Sequence, residues 1–268
     1  LADRYDVQRA LGRGGMATVY LANECKGANQ VAIKVLHPEF AATLGPERFH
    51  REVRLLSRFN HPNILPMLTS GQTESFLYLI TPYAAGGSLR TVLARDRELS
   101  LERTLAIAHD VAAGLDYIHA QGVVHRDIKP ENIVFEGDRA LLCDFGVARA
   151  IVAAAADRIS RSGLVGGTPG YMSPEQAEGK ADIDHRTDIY SLACVIYEML
   201  VGEPPFTGRT RAAVLQKVIK QRPSGARVVR PDVPEAVEVA LQQALAKQPA
   251  RRPATASRPR GASPSPRG

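Results

Sequence analysis

The amino-acid sequence predicts an α+β fold in which a small antiparallel β-sheet is followed by a larger, mainly helical part. Up to Ile80, the apolar segments are short and are separated by polar residues or glycine-containing turns, as is typical of strands. From Leu101 onward, apolar residues recur at spacings of three and four, as on one face of a helix. The chain has 268 residues, which is long enough for one large domain or two small lobes.

A glycine-rich turn between two strands is predicted near the N-terminus. Segment 5–23 reads YDVQRALGRGGMATVYLAN, with Gly12, Gly14 and Gly15 between two strand-like stretches. Glycines let the backbone approach a phosphate group closely, although a lone Gly-x-Gly pattern is more often an ordinary turn. The next strand, VAIK at 31–34, alternates and ends in a lysine, a residue that is most often simply solvated.

A helix and a further strand complete this first part. The apolar residues of segment 46–59 recur at helical spacings, namely Phe49, Val53, Leu56 and Phe59. Glu52 lies next to that apolar stripe. Segment 76–80 reads as an apolar strand, and segment 81–84, which precedes a Gly-Gly pair, is expected to be a loop.

Segment 125–146, HRDIKPENIVFEGDRALLCDFG, carries three oxygen-bearing side chains that point to chemistry. Two short apolar strands around a glycine-containing turn predict a hairpin, so Asn132 and Asp144 are expected side by side at its open end. Such hard oxygen ligands suit Mg²⁺, and Asp127 would face the metal as a proton acceptor. The residues alone also leave open a surface hairpin with ordinary polar flanks.

Four helices are predicted in the second part of the chain. Ser100 is placed to cap a helix at 101–120, whose apolar residues line one face. Segment 188–201 is apolar nearly all round and is therefore expected to be a buried central helix. Helical patterns at 211–221 and 235–247 follow.

Two segments lack a periodic apolar face. Segment 147–164 is rich in alanine and is expected to be a mobile loop. Segment 254–268 has no apolar residue large enough to pack, and we expect a disordered linker or juxtamembrane segment. Since the chain begins with Leu1, we expect a part of a longer protein, and a membrane anchor only in a segment outside this sequence.

Charge and cysteine content exclude several classes of protein. The formal net charge is +6, but five arginines and no acidic residue lie in 251–268, so the rest is close to neutral and a nucleic-acid partner is not expected. Cys25, Cys143 and Cys194 are odd in number and far apart, which argues against a disulfide framework or a metal knuckle. A reducing, cytoplasmic compartment is favoured.

HRDIKPEN followed by DFG resembles the signature pair of protein kinases. The glycine-rich turn, the VAIK strand and GTPGYMSPE at 167–175 match the same pattern. From about Tyr5 to Pro253, the chain therefore resembles a eukaryotic-type Ser/Thr protein kinase domain, most like the bacterial members. This resemblance implies a bilobal protein kinase fold over 1–253, with an antiparallel N-lobe and its helix C at about 1–81 and a mainly helical C-lobe at 85–253.

The resemblance also implies the catalytic roles. Asp127 would accept the proton of a protein Ser or Thr hydroxyl, and Lys129 would neutralise charge on the transferring phosphoryl group, with Thr168 bonded to both. Lys34 would hold the α- and β-phosphates of ATP and form an ion pair with Glu52.

The same resemblance implies the cofactor site. Asn132 and Asp144 would hold Mg²⁺, for which Mn²⁺ could substitute. Two departures from the family pattern, Ala17 in place of a third glycine and Pro82 in the hinge, are expected to be mild. The residues expected to contact ATP are Leu11, Gly12, Gly14, Gly15, Val19, Ala32, Lys34, Glu52, Thr81, Pro82, Ala84 and Val134.

Further roles follow for regulation and for support of the site. Arg126 would bind a phosphorylated side chain of the activation segment, which makes Ser160 and Ser162 candidate autophosphorylation sites. The partners expected are protein Ser/Thr substrates, and a homodimer for autophosphorylation stays open. Asp188 is expected to brace the catalytic loop. Glu175 is expected to pair with Arg252, and Ser173, where alanine is commoner, is expected to be neutral.

Two other functions are alternatives to an active kinase. A pseudokinase, which would serve as a scaffold or ATP-binding module of the same fold, is disfavoured because all five key polar residues are present, namely Lys34, Glu52, Asp127, Asn132 and Asp144. A small-molecule phosphotransferase of kinase-like fold would lack the glycine-rich turn and GTPGYMSPE.

Overall fold

A computed structural model describes residues 3–73, 76–144 and 168–257, and within the first two helices it describes only some of the side chains. The described chain divides into two compact units. The first contains the described residues up to Ala85 together with Cys143 and Asp144, and the second contains the remainder. The α+β class is confirmed, because the first unit holds a five-stranded sheet and the second is mainly helical.

The sheet of the first unit is antiparallel, with the strand order β1-β2-β3-β5-β4. Its strands are β1 Tyr5–Arg13, β2 Ala17–Glu24, β3 Gln30–Leu36, β4 Thr69–Gln72 and β5 Leu77–Pro82. Two helices, α1 Pro38–Leu44 and α2 Pro46–Leu56, follow β3. The predicted strands and the helix at 46–59 are thus found, whereas α1 and β4 were not predicted.

Two apolar clusters explain the stability of the first unit. Phe49 and Val53 of α2 are buried together with Leu36, Leu77 and Leu79 of the sheet. A separate cluster is formed by Tyr5, Ala22, Val31, Ile33 and Ile80. Because successive side chains of a strand point to opposite faces, the sheet contributes apolar residues to both clusters. The helical stripe predicted from the sequence is therefore what attaches α2 to the sheet.

The second unit is built around two helices that pack against each other, α4 Leu101–Ala120 and α6 Arg186–Val201. The Ser100 hydroxyl caps α4 by accepting a hydrogen bond from the Arg103 amide, as predicted. Helix α6 is buried nearly all round and ends at Gly202, whose φ of 89° is a left-handed conformation that glycine adopts without strain. The other helices are α3 Leu89–Asp96, α5 Pro174–Ala177, α7 Arg211–Lys220, α8 Ala226–Val229 and α9 Glu235–Ala244.

The predicted hairpin is found as β6 Ile133–Glu136 and β7 Arg139–Leu142. It lies beside α4, a contact that was not predicted. The backbone at Gly86 and Gly87 forms hydrogen bonds of 3.2 and 2.9 Å with Phe135 of β6, on the side away from β7. A Cβ atom at Gly86 would lie 2.7 Å from the Cβ of Phe135, so only glycine allows this approach. The amide of Ala140 in β7 donates to the Asp110 carboxylate of α4 at 2.9 Å.

Residues 254–257, the start of the segment for which we expected disorder, lie against α4. The Asp116 carboxylate accepts hydrogen bonds from the amides of Ala256 and Ser257 at 2.7 and 3.2 Å. The Ser257 hydroxyl also donates to this carboxylate. All three bonds come from polar groups, so the absence of large apolar side chains did not predict them. Among the described residues, no helix combines the length and the apolar character needed to cross a membrane.

Candidate active site

The loop that carries Asp127 is held by a buried carboxylate at the start of α6. Asp188 is fully buried and accepts hydrogen bonds from the backbone amides of His125 and Arg126 at 2.8 and 2.7 Å. His119 Nε2 is also 2.8 Å from this carboxylate. Arg126 has a φ of 67°, a left-handed backbone conformation that is uncommon for residues other than glycine. The predicted brace by Asp188 is therefore confirmed, and it fixes a strained turn of the loop.

Asp127, Lys129 and Asn132 form one hydrogen-bonded group. The Asp127 carboxylate accepts from Lys129 Nζ at 2.7 Å and from Asn132 Nδ2 at 3.1 Å. Asn132 Nδ2 also donates to the backbone carbonyl oxygen of Asp127 at 2.7 Å. The side-chain nitrogen Nδ2 of Asn132 thus donates within the loop. The Oδ1 atom of Asn132 accepts no hydrogen bond from the described residues and is suited to bind a cation. Lys129 Nζ supplies positive charge next to the candidate proton acceptor.

Thr168 lines a small cavity together with Asp127, Tyr171 and Gln176. The carbonyl oxygen of Thr168 accepts from the Tyr171 amide at 3.1 Å, which begins a short 3₁₀ turn over Pro169–Tyr171. Within residues 3–73, 76–144 and 168–257, the Thr168 hydroxyl bonds to neither Asp127 nor Lys129. The expected contact of Thr168 with both side chains stays a prediction.

The sheet of the first unit aligns the residues expected to bind the nucleotide. Gly12 pairs with Val19, Val19 pairs with Lys34, and these three form a row across β1, β2 and β3. Ala32, two residues before Lys34 and on the same face of β3, pairs with Thr81 of β5. A Cβ atom at Gly12 or Gly15 would meet no atom of the described residues within 4 Å, so these residues leave open space over the turn. Leu11 also lies in β1, whereas Val134 lies in β6 of the other unit.

Lys34 and Asp144 form an ion pair in the first unit. Lys34 Nζ is 2.7 Å from Asp144 Oδ1, and both side chains are partly exposed. Asp144 has a φ of 66°, again in the left-handed region. Sequence reasoning paired Lys34 with Glu52, whose side chain lies outside the described part of the structure. The pair with Asp144 was not predicted, because Lys34 and Asp144 are 110 positions apart and no local sequence pattern connects them.

The hinge segment differs from the loop that we expected over 81–84. Strand β5 continues to Pro82, which lies opposite Val31, and the Tyr83 amide donates to the Gln30 carbonyl at 3.1 Å. Proline is tolerated there because it lies at the end of the strand. In the part of the chain that the structure describes, the Ala84 amide forms no hydrogen bond. It is therefore suited to donate to a ligand, as expected of this residue.

Ser173 has a structural role that the sequence did not reveal. Its hydroxyl accepts from the Gln176 amide at 3.3 Å, and it lies 2.6 Å from the Thr187 hydroxyl, in a capping box at the start of α5. Gln176 Nε2 in turn donates to the Arg126 carbonyl at 2.8 Å. Alanine would make neither bond of the hydroxyl, so the expectation of a neutral replacement is wrong for the structure.

Ser173→Ala is expected to lower the free energy of unfolding by about 1–2 kcal/mol, because it removes a helix cap and a buried hydrogen bond to Thr187. Thermal denaturation of the variant measures this loss. Ser224→Ala is the control, since Ser224 is exposed in the same unit. Equal melting temperatures for the two variants would contradict the role assigned to Ser173.

A buried ion pair connects α5 with the end of the second unit. Arg252 donates to both carboxylate oxygens of Glu175, at 2.6 and 2.8 Å. The side-chain exposure is 0% for Arg252 and 4% for Glu175. This predicted pair is confirmed. Ser160 and Ser162, the candidate phosphorylation sites, lie outside the described residues.

Comparison with known proteins gives one consistent result. The model of the family described as "Protein kinase domain" matches residues 5–258. The chain is 36% identical over 265 residues to "Serine/threonine-protein kinase PknB" of Mycolicibacterium smegmatis (strain ATCC 700084 / mc(2)155), covering 96% of this chain and 42% of that protein.

Two further relatives come from other bacteria. "Probable serine/threonine-protein kinase SCO3848" of Streptomyces coelicolor is 36% identical, with 93% of this chain and 38% of that protein covered. "Serine/threonine-protein kinase pkn3" of Myxococcus xanthus is 37% identical, with 96% and 48% covered. The chain thus spans less than half the length of these curated relatives.

Proposed function

The chain belongs to the protein kinase domain family, and from this membership we propose that it is a serine/threonine protein kinase that transfers the γ-phosphoryl group of ATP to hydroxyl groups of proteins. The observation that carries the proposal is the hydrogen-bonded group of Asp127, Lys129 and Asn132 on a loop braced by Asp188. The serine/threonine specificity is supported by the names of the relatives.

Asp127 is proposed to orient the protein hydroxyl and to accept its proton. Its carboxylate is held by Lys129 and Asn132, so it has a fixed position before a substrate arrives. Phosphoryl transfer has a loose transition state, and catalysis is therefore mainly positioning and stabilisation of charge. The Lys129 ammonium group is proposed to stabilise the negative charge on the transferring group.

Protein kinases use ATP and a divalent metal, and for this chain we propose Mg²⁺ with Mn²⁺ as a substitute. Asp144 and the Oδ1 atom of Asn132 are the proposed ligands. The described residues contain no group of three or more His, Cys, Asp or Glu side chains that could hold a metal. The carboxylate of Asp144 and the amide oxygen of Asn132 fit Mg²⁺, which is bound through one or two carboxylates together with phosphate oxygens and water. The metal would neutralise phosphate charge.

The proposed ATP contacts of the first unit follow from the strand register. Lys34 would bind the phosphates, and its distance of 2.7 Å from Asp144 fits a role for both side chains at one metal–phosphate group. The open space over Gly12 and Gly15 fits a phosphate-binding turn. Ser160 and Ser162 are proposed sites of autophosphorylation, and a homodimer in which this occurs is part of the same proposal.

The decisive experiment incubates the 268-residue chain with ATP labelled at the γ-phosphate, Mg²⁺ and a generic basic protein. We expect label on serine and threonine of that protein, identified after acid hydrolysis, and label on the chain itself. The alternative, a pseudokinase that binds ATP as a scaffold, predicts nucleotide binding without any transfer of label. Binding without transfer would therefore reject the proposed activity.

Asp144→Asn is expected to raise the Mg²⁺ concentration needed for half-maximal activity at least about tenfold, because an amide is a weaker ligand for a hard cation than a carboxylate. Titration of activity with Mg²⁺ at saturating ATP measures the change. Asp182→Asn removes an exposed carboxylate in the other unit and serves as the control. An unchanged Mg²⁺ dependence in Asp144→Asn would count against this ligand.

A further inference from the structure

Arg90, in the first turn of α3, connects three elements of the second unit. Its guanidinium group donates from each of its three nitrogens to a different side chain. The acceptors are Glu131 Oε1 at 2.8 Å, Glu198 Oε1 at 2.7 Å and the Tyr171 hydroxyl at 2.5 Å. Glu131 lies in the loop that follows Asp127, Glu198 lies in α6, and Tyr171 lies in the segment matching GTPGYMSPE.

This network is not an ordinary surface ion pair. The Glu198 side chain is 5% exposed and Tyr171 is 4% exposed, whereas Arg90 is 35% exposed. The Tyr171 hydroxyl donates to Glu198 Oε2 at 2.5 Å. Both oxygens of the buried Glu198 carboxylate therefore have a partner. Such charge-assisted bonds away from water are stronger than surface pairs, and removing one partner leaves a buried charge uncompensated.

The protonation states at neutral pH support this arrangement. Burial lowers the pKa of Arg90, but its hydrogen bonds to Glu198 and Glu131 outweigh burial and raise that pKa above its usual value. Burial and, next, the charge of Glu198 raise the pKa of Tyr171 far above the usual value of a phenol. In this network Arg90 therefore stays a cation and Tyr171 stays a neutral phenol. The phenol remains a donor, and the guanidinium group remains a threefold donor.

Tyr171 is fixed at its backbone as well as at its hydroxyl. The Ser191 hydroxyl of α6 donates to the Tyr171 carbonyl at 2.7 Å. Tyr171 and Met172 also line the cavity that contains Asp127 and Thr168. The position of Tyr171 therefore sets the wall of the space next to the proposed proton acceptor, and Arg90 joins that wall to the Asp127 loop through Glu131.

We propose that Arg90 is a positioning residue, which holds the substrate-receiving segment at Tyr171 in register with the Asp127 loop so that a peptide hydroxyl is presented to Asp127. This inference rests on the proposed kinase function. Arginine presents its donors on three separate nitrogen atoms in a fixed plane, whereas the three donors of lysine radiate from one nitrogen atom, so lysine cannot reach the same three acceptors in the same geometry. Arg90 would act through Tyr171 and Glu131 without touching ATP.

The first test measures the positioning without any assay of activity. Hydrogen exchange is compared among the unchanged 268-residue chain, Arg90→Lys, Arg90→Met and Arg95→Met. The Tyr171 and Met172 amides, which are bonded to the carbonyls of Thr168 and Pro169, are expected to exchange about tenfold faster in both Arg90 variants, because charge-assisted bonds that hold the segment are lost.

The control variant Arg95→Met acts on the same helix, where an exposed arginine pairs with Asp96. In this variant the Tyr171 and Met172 amides are expected to exchange at the same rates as in the unchanged chain. Arg90→Lys keeps a positive charge beside Glu198, so it remains informative even if Arg90→Met does not fold. Exchange rates in Arg90→Lys equal to those of Arg95→Met would overturn the proposal.

The second test uses steady-state kinetics with a peptide from the labelled basic protein. The KM for the peptide is expected to rise about tenfold in Arg90→Lys, while the KM for ATP stays within about twofold. A mere loss of folded protein would lower kcat and leave both KM values unchanged, and that pattern would overturn the proposal. An unchanged chain that transfers no phosphate rejects the kinase function, and the exchange data then still decide whether Arg90 positions Tyr171.

Discussion

Replacement of Asp127 by asparagine is expected to lower the rate of phosphoryl transfer by about three orders of magnitude, since a general base contributes roughly 10²–10⁴-fold. The Asp127 carboxylate accepts hydrogen bonds from Lys129 and Asn132. An amide has nearly the same shape, but its NH₂ group cannot accept the proton of a substrate hydroxyl. Transfer of labelled phosphate to the basic protein measures the loss, and thermal melting shows whether the variant is folded.

Asp138→Asn is the matched control for Asp127→Asn. Asp138 is exposed in the turn of the β6–β7 hairpin, eleven residues further along the chain, and it has no proposed role. Its variant is expected to keep the activity of the unchanged chain. Activity of Asp127→Asn within a factor of ten of this control would refute Asp127 as the proton acceptor.

Arg252→Met is expected to have the largest effect on stability, with a loss of about 3–5 kcal/mol in the free energy of unfolding. The methionine removes both bonds to Glu175 and leaves this buried carboxylate without its cation. It also removes bonds to the carbonyls of Ala246, Arg186 and Lys247. For a chain of this size the melting temperature should fall by roughly 10 °C, as measured by calorimetry.

Arg251→Met is the control for this stability effect, because the neighbouring arginine is exposed. A substitution on the surface is expected to change the free energy of unfolding by about 0.5 kcal/mol or less. The double variant Glu175→Gln with Arg252→Met should recover part of the stability, because the uncompensated charge is then absent. A melting temperature for Arg252→Met equal to that of Arg251→Met would contradict the assigned role of the pair.

Local patterns explain why much of the fold could be predicted. The apolar spacing and the Ser100 cap predicted α4 with the bounds that the structure has, Leu101–Ala120. The two short apolar strands around Gly137 predicted the β6–β7 hairpin. By contrast, β4 reads TSGQ, which carries no strand signal of its own. It forms because β5 offers it a free edge, a condition set by the tertiary structure.

Family resemblance located the catalytic loop, but it did not give the contacts that support it. Asp188 and the Glu175–Arg252 pair were predicted and are confirmed. The network of Arg90 was missed, since Glu198 lies 108 residues away in sequence and an arginine in the first turn of a helix is usually a solvated side chain. Contacts of this kind depend on which elements meet in the folded chain, and no local pattern encodes that.

The contacts of the β6–β7 hairpin have a consequence for self-association. A strand with unsatisfied backbone groups can recruit a strand from another molecule, and this is how many proteins begin to aggregate. Here Gly86 and Gly87 form hydrogen bonds along the outer side of β6, and the Asp110 carboxylate accepts a hydrogen bond from the Ala140 amide of β7. These contacts protect the two strands, which lie next to the proposed catalytic loop, from edge-to-edge pairing with another molecule. A high protein concentration should therefore not cause aggregation through this hairpin.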